Sequence, residues 1–514
     1  MVNGKILVEK LIKYAQTFLH LKERDAIYFK NLLLREFKLP APYGEKLDLT
    51  EIENLTVPDT LVKEIEDYAL ENNLADEFSL NRYSTYVLGL LSPLPSKVNE
   101  EFNRLRDEFG AEKACEYLYD LSVKNNYVQK TAISKNLKWE YKDGDKYLEI
   151  TVNLSKPEKS NKEIAKLLSE KKSAEKYPAC LLCKENEGFE GTLSQPAREN
   201  IRTISLKMGG QDWFFQYSPY AYYNEHVIAI NTEHTPMCVD KNTVDKLLDF
   251  VDYLPNYMIG SNASLPIVGG SILNHEHYQG GEHLMPMHNA PVLTNLKSNE
   301  YKDVKVGIVD WYNSVIRLQS KNRSQIRDLA GDIVEGWKVF DCPECFIYSN
   351  TNGTPHNASS PIARKRGDEY VIDIILRNNV ATEEYPEGLF HAHPEYHNIK
   401  REGIGLIEAM GLFILPGRLK EQLKTIAEIL CKEKEFDKKE LSNAENPLSI
   451  HFDMINSLVG EGYSADFDSA YARVVDRVNT TCKNILFNTS VFKKDSVGNT
   501  GFLKFLESVK IYKA

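Results

Sequence analysis

Two histidines and a glutamine recur at every second position in Gly269-Gly270-Ser271-Ile272-Leu273-Asn274-His275-Glu276-His277-Tyr278-Gln279-Gly280-Gly281. On an extended strand, His275, His277 and Gln279 project from one face, and Glu276 and Tyr278 from the other. A neutral imidazole in that row can attack phosphorus and later leave, which divides one group transfer into two steps. The glutamine amide can donate to a phosphoryl oxygen, and the flanking glycine pairs let backbone come close to a bulky phosphate. The same pattern also fits a polar, solvent-facing strand with incidental histidines. The surrounding residues have to decide.

Upstream, Cys180-Leu181-Leu182-Cys183 spaces two sulfurs to reach one metal, although CxxC also serves redox chemistry. His234 follows an expected strand at 226–231, where a ligand is held rigidly; on its own it reads as a surface or loop residue. A second pair, Cys342-Pro343-Glu344-Cys345, lies too far along the chain for a zinc ribbon with the first and reads as a turn with two half-buried thiols.

Apolar residues recur at helical spacing over 5–35, 61–70 and 100–121, so the first third reads as mostly helical. Prolines at 93 and 95 break the pattern, and 155–176 is a charged helix or linker that sets a boundary near residue 175. Short β-rich segments follow at 212–216, 226–231, 265–273 and 370–376, with helical patterns at 244–253, 304–319 and 418–432. From 433 the chain reads as helical again, closing with 501–511. The expected division is a helical region 1–175, halves at 176–300 and 301–432, and a helical extension 433–514.

At 514 residues the chain exceeds what one core usually supports, in keeping with two or three domains. A composition of 42% hydrophobic and 27% charged residues is that of a soluble protein rather than a disordered or fibrous one. The formal charge of −11 argues against nucleic acid or an anionic membrane as partner, while a small anion needs only a few local arginines. No apolar run approaches the roughly 20 residues of a membrane helix. Residues 1–16 are unlike a secretory signal, so a cytoplasmic location with its eight cysteines reduced is expected.

In their order, CxxC, a strand followed by a histidine, and Asn…HxHxQ resemble the first half of galactose-1-phosphate uridylyltransferases. In that family the motif is usually HPHGQ; its second histidine is the uridylylated nucleophile, the glutamine contacts the phosphoryl group, and the first histidine joins CxxC and an upstream histidine around structural zinc. Carried over, the resemblance implies His277 as nucleophile, Gln279 as phosphoryl contact, and Cys180, Cys183, His234 and His275 as a zinc set. Leu389-Phe390-His391-Ala392-His393, with Gly411-Leu412 and Arg418-Leu419 beyond it, is similar to the family's second half, as is 348–356 ending in His356. Some members bind an additional metal through these second-half histidines; the longer spacing from His356 to His391 argues against it here. HEHYQ in place of HPHGQ, the long region before the CxxC and the added tail resemble the longer, type 2 bacterial branch. So do 86–93 (YVLGLLSP), 214–226 (FFQYSPYAYYNEH) and 404–418 (IGLIEAMGLFILPGR), so the likeness spans nearly the whole chain.

The fold this implies is α/β (α+β): two HIT-like halves, each an antiparallel sheet with helices, plus an extra mostly helical N-terminal region, in a homodimer. The implied reaction, part of galactose metabolism, moves UMP from UDP-glucose to galactose 1-phosphate by a ping-pong route through uridylyl-His277, with no organic cofactor. A nucleotidyl hydrolase or phosphorylase of the same histidine-triad superfamily is the alternative. The two phosphates of a UDP-sugar need basic neighbours. Arg198 and Arg202 are the candidates, and Arg364-Lys365-Arg366 is another option that reads equally as a solvated turn. Asn262 and Ser271 stand where family members place a ribose or phosphate contact, and His283, His288 and His397 read as surface residues or supports behind the site.

Overall fold

Helical periodicity near the N-terminus becomes the helix Gly4–Phe18, which Asn3 caps by accepting the Lys5 N–H at 3.1 Å. Leu7, Leu11, Tyr14 and Ala15 bury one face of it. Helices follow at Ala26–Glu36, Asp59–Glu71, Leu80–Leu91, Pro95–Phe109 and Ala111–Lys124. Pro95 opens its helix at the first position, where a missing N–H costs nothing. The computed structural model describes residues 2–155, 177–270 and 272–514, so most of the charged 155–176 stretch and Ser271 lie outside the described residues.

Two compact units divide the chain, each assembled from discontinuous segments. The first comprises Met1–Lys135, Ser155–Thr235 and His275–Gly281. Its strands pair antiparallel in the order Ile204–Met208, Gln211–Tyr217, Val227–Asn231, His277–Gly281. From Trp213 onward the second of these is buried on both faces, with Phe102 of the helix Pro95–Phe109 set edge-on to Phe215 at 5.7 Å. The helical region and this sheet therefore share one core.

The second unit comprises Asn136–Leu154, Pro236–Asn274 and Glu282–Ala514. Strands Ile511–Lys513, Val292–Ser298, Lys305–Val309, Val315–Ser320, Glu369–Asn378, Asn357–Arg366 and Met258–Gly260 pair antiparallel in that order. Helices Lys241–Tyr253 and Arg323–Lys338 pack on the sheet. Trp337, fully buried, donates its indole N–H to the carbonyls of Ala358 and Arg377 at 2.9 Å and so fastens its helix to two strands.

Two expectations fail. Residues 304–319 form the strands Lys305–Val309 and Val315–Ser320 instead of a helix. The turn-forming Asp310, Asn313 and Ser314 interrupt two β-branched runs, and cross-strand pairing overrides the helical spacing. Residues 265–273 contain no strand among those described, only an isolated bridge from Gly269 to Ala263. The first third also holds a hairpin, Leu137–Asp143 with Lys146–Val152, to which Leu412–Leu415 adds in parallel. Its Asp143-Gly144 turn and alternating Leu137, Trp139 and Tyr141 are a legible hairpin signal that the helical texture on its N-terminal side obscures.

Candidate active site and metal centre

The strands Val227–Asn231 and His277–Gly281 pair with Ile230 opposite His277 and Ile228 opposite Gln279. The strand starts at His277, later than alternation alone suggests, and His275 occupies a bend before it. Backbone bonds nevertheless continue past the strand end: the Asn231 N–H reaches the Glu276 carbonyl at 3.0 Å, and the Glu276 N–H reaches that of Thr235 at 2.7 Å. Glu276 accepts from Tyr278 Oη at 2.7 Å and from Asn231 Nδ2 at 2.9 Å, while the Tyr278 ring stacks on Trp213 at 4.9 Å. Glu276 and Tyr278 are thus buried together, and the row containing His277 and Gln279 turns the other way.

His277 is buried, and its Nδ1–H donates to the His275 carbonyl at 2.8 Å. That bond fixes the tautomer with the lone pair on Nε2. Burial holds the imidazole below its ordinary range, so it is neutral near pH 7. Gln279 Oε1 accepts from His226 Nε2 at 3.1 Å, which turns the Gln279 amino group into the outward donor. His226 is wholly buried, flanked by Tyr222 and Tyr223 at ring distances of 5.4 and 4.5 Å; burial pushes it down to about 4. Sequence reasoning gave His226 no role, because its place as a diagonal cross-strand neighbour of Gln279 depends on register. Gly281 has a φ of 145°, and a Cβ there would strike the Glu225 carbonyl. Chain packing accounts for this glycine without reference to phosphate.

The structure brings Cys180, Cys183, His234 and His275 together, their ligand atoms all within 4.8 Å of one another. The sulfurs stand 3.5 Å apart; Cys180 Sγ is 3.2 Å from His275 Nδ1, and Cys183 Sγ is 3.2 Å from His234 Nδ1. A tetrahedral Cys2His2 metal site has edges of about 3.4 to 3.8 Å, so this donor set fits such an ion with small adjustments. His275 Nε2 donates to the Asn231 carbonyl at 2.8 Å, which commits the Nδ1 lone pair to the cluster. Asn186 Nδ2 donates to the carbonyls of Cys180 and Cys183 at 2.9 and 2.7 Å and shapes the CxxC turn. Among the described residues no other group of three or more His, Cys, Asp or Glu side chains meets this test.

The remaining candidates separate. Arg198 lies over the Tyr127 ring at 5.6 Å, half-buried. Arg202 is corrected: its guanidinium donates to the carbonyls of Pro93, Glu199, Ile201, Gly89 and Ser92 at 2.5 to 3.4 Å, which spends its donors on the fold. Asn262 belongs to the second unit, where its Oδ1 accepts the Leu406 N–H at 2.8 Å. Ser271 lies outside the described residues. His283 pairs with Glu149 at 2.8 Å, and His397 Nε2 is 3.0 Å from the Ala392 carbonyl. His288 and Arg364 depart from the surface readings: both line the interior of the second unit. In the second half, His391 is buried, His393 stacks on Tyr385 at 3.9 Å, and His356 Nδ1 is 2.9 Å from Asn379 Oδ1. Cys345 of the second CxxC packs with Cys342 against Gly501, its thiol pushed up to about 12 by burial.

The chain matches the pattern of the galactose-1-phosphate uridyl transferase N-terminal domain over residues 39–236 and of the C-terminal domain over 250–448. It is 42% identical to the galactose-1-phosphate uridylyltransferase of Caldanaerobacter subterraneus subsp. tengcongensis, covering 98% of this chain and 97% of that one. To the protein of the same name from Clostridium acetobutylicum it is 41% identical, covering 98% and 99%. The crystal structure of yeast Ap4A phosphorylase Apa2 is a looser likeness, with a TM-score of 0.31 and 10% identity over 66% of this chain and 92% of that one. Near-complete coverage by relatives of that identity, together with matches to both domains, makes this enzyme a transferase belonging to the galactose-1-phosphate uridyl transferase family.

Proposed function

We propose that this enzyme transfers the uridylyl group of UDP-glucose to galactose 1-phosphate through a covalent intermediate on His277. The observation that carries the reading is the pairing on one strand of a tautomer-fixed imidazole, His277, with an amide oriented by His226, Gln279. His277 Nε2 attacks the α-phosphorus, the bond to the glucose 1-phosphate oxygen breaks, and that dianion leaves without needing a strong acid. The imidazole becomes cationic as it is uridylylated. The His275 carbonyl, already accepting from Nδ1 at 2.8 Å, then faces a stronger donor and stabilises the charge. Gln279 holds a nonbridging oxygen in both half-reactions. A phosphate oxygen of galactose 1-phosphate attacks the same phosphorus, UDP-galactose departs, and His277 returns neutral.

Cys180, Cys183, His234 and His275 would hold zinc in a closed four-ligand site that supplies structural stability. Its part in the chemistry is indirect: His275 is both a member of that set and the residue whose carbonyl orients His277. Arg198 is the remaining first-unit candidate for charge neutralisation, and the functional assembly is proposed to be a cytoplasmic homodimer.

Intact mass after mixing with UDP-glucose tests the reading. The wild type is expected to gain one uridylyl group and His277→Ala none. Release of UMP to water with no adduct and no transfer would replace it with a hydrolase.

A further inference from the structure

The second unit contains a cavity of about 610 Å³ whose wall includes His288, Arg317, Gln319, Arg364, Lys365 and Arg366. The volume is that of a small-ligand pocket. Its basic groups are unequally satisfied. Arg317 is spent: it binds both oxygens of the buried Asp373, at 2.6 and 3.3 Å, and donates to the carbonyls of Ala290 and Met287 at 2.9 and 3.0 Å. Asp373 is therefore committed, and Arg364 approaches it only to 3.7 Å. The Arg364 side chain is 12% exposed, and its Nε has no hydrogen-bond partner among the described residues. His288 is 6% exposed, and neither of its ring nitrogens has a partner among them. Lys365 pairs with Asp252 at 2.6 Å, and Arg366 is exposed.

A largely buried guanidinium that must share its neighbour's counter-ion is incompletely compensated for its lost hydration, and unsatisfied buried donors call for an explanation. Two guanidiniums on one carboxylate leave an excess positive charge in the wall. A neutral imidazole always carries one N–H, so His288 adds a second unused donor to the same cavity. These groups complement an anion with several oxygens in different directions, which a tetrahedral phosphoryl group supplies and a planar carboxylate does not. The space beyond accommodates the organic part of a small metabolite.

We infer that this cavity is a second, separate binding site for a phosphoryl dianion, free phosphate or a small phosphate monoester, held by Arg364 and His288 with Arg366 adding charge. The inference stands independently of the chemistry assigned to His277.

Calorimetric titration of the full chain with inorganic phosphate and, separately, with glycerol 3-phosphate tests it; neither is a donor or acceptor in the proposed transfer. The wild type is expected to bind at one site that Arg364→Gln weakens at least tenfold and Arg366→Gln severalfold, while both variants still form the uridylyl adduct. Tighter binding of glycerol 3-phosphate than of phosphate identifies the ligand as a monoester; equal or weaker binding identifies free phosphate. If Arg364→Gln does not fold, Arg366→Gln carries the test because its side chain is exposed. The proposal is overturned by the absence of binding to the wild type, or by affinities unchanged in the folded variants. Loss of the adduct in step with loss of phosphate binding also overturns it, since the cavity would then serve the transfer reaction itself.

Discussion

Gln279 can present its amino group to a phosphoryl oxygen only if something holds its carbonyl, and His226 Nε2 does so from 3.1 Å. His226→Phe keeps a ring between Tyr222 and Tyr223 but removes the donor, so adduct formation is expected to slow about tenfold, one hydrogen bond's worth of orientation. Rapid-quench mass analysis with UDP-glucose measures it, and an unchanged rate contradicts the positioning role. At Arg202 the expectation runs to stability instead. Arg202→Met removes donors from several buried carbonyls and is expected to cost about 2–4 kcal/mol in denaturant unfolding. Selective loss of substrate affinity at unchanged stability would return Arg202 to the phosphate-binding role.

The four-residue cluster joins a CxxC turn, the chain after the strand Val227–Asn231, and the bend before the strand His277–Gly281. An ion there would clamp the segments that fix where His277 begins its strand. Chelation, or Cys183→Ser, is expected to lower the thermal midpoint by several degrees and to slow uridylylation, with metal content and activity falling together. A metal-free preparation with full activity and an unchanged midpoint would remove the cluster from the account. At this scale the CxxC and the alternating motif were readable because each is local. The ligand set was implied by resemblance, since His234 and His275 lie 41 positions apart and meet only through strand pairing and the stacked rings at 4.5 Å.

Across the whole molecule, several histidines are kept neutral by burial. His226, His391 and His451 are pushed down to about 4, and His288 to about 3. Their unfolded value is about 6.5. Between that value and the folded one the unfolded chain binds more protons, so stability falls as pH drops from about 6.5 toward 4, at up to about 1.4 kcal/mol per pH unit for each such group. Urea unfolding at pH 7.5 and pH 5 should show the loss, and stability flat across that interval would contradict the burial of these rings. The sequence by itself determined the helical N-terminal texture, the strands near 212–216, 226–231 and 370–376, the order of chemistry-bearing residues and, through their resemblance, the family, because periodicity and short motifs are local properties of the chain. Tertiary structure alone decided that 304–319 is two strands, that Arg202 is a structural pin, that His226 supports Gln279, and that Arg364 and His288 line an interior cavity. Each of these depends on register, burial or a distant hydrogen-bond partner, and those are set by how remote segments pack rather than by the residues beside them.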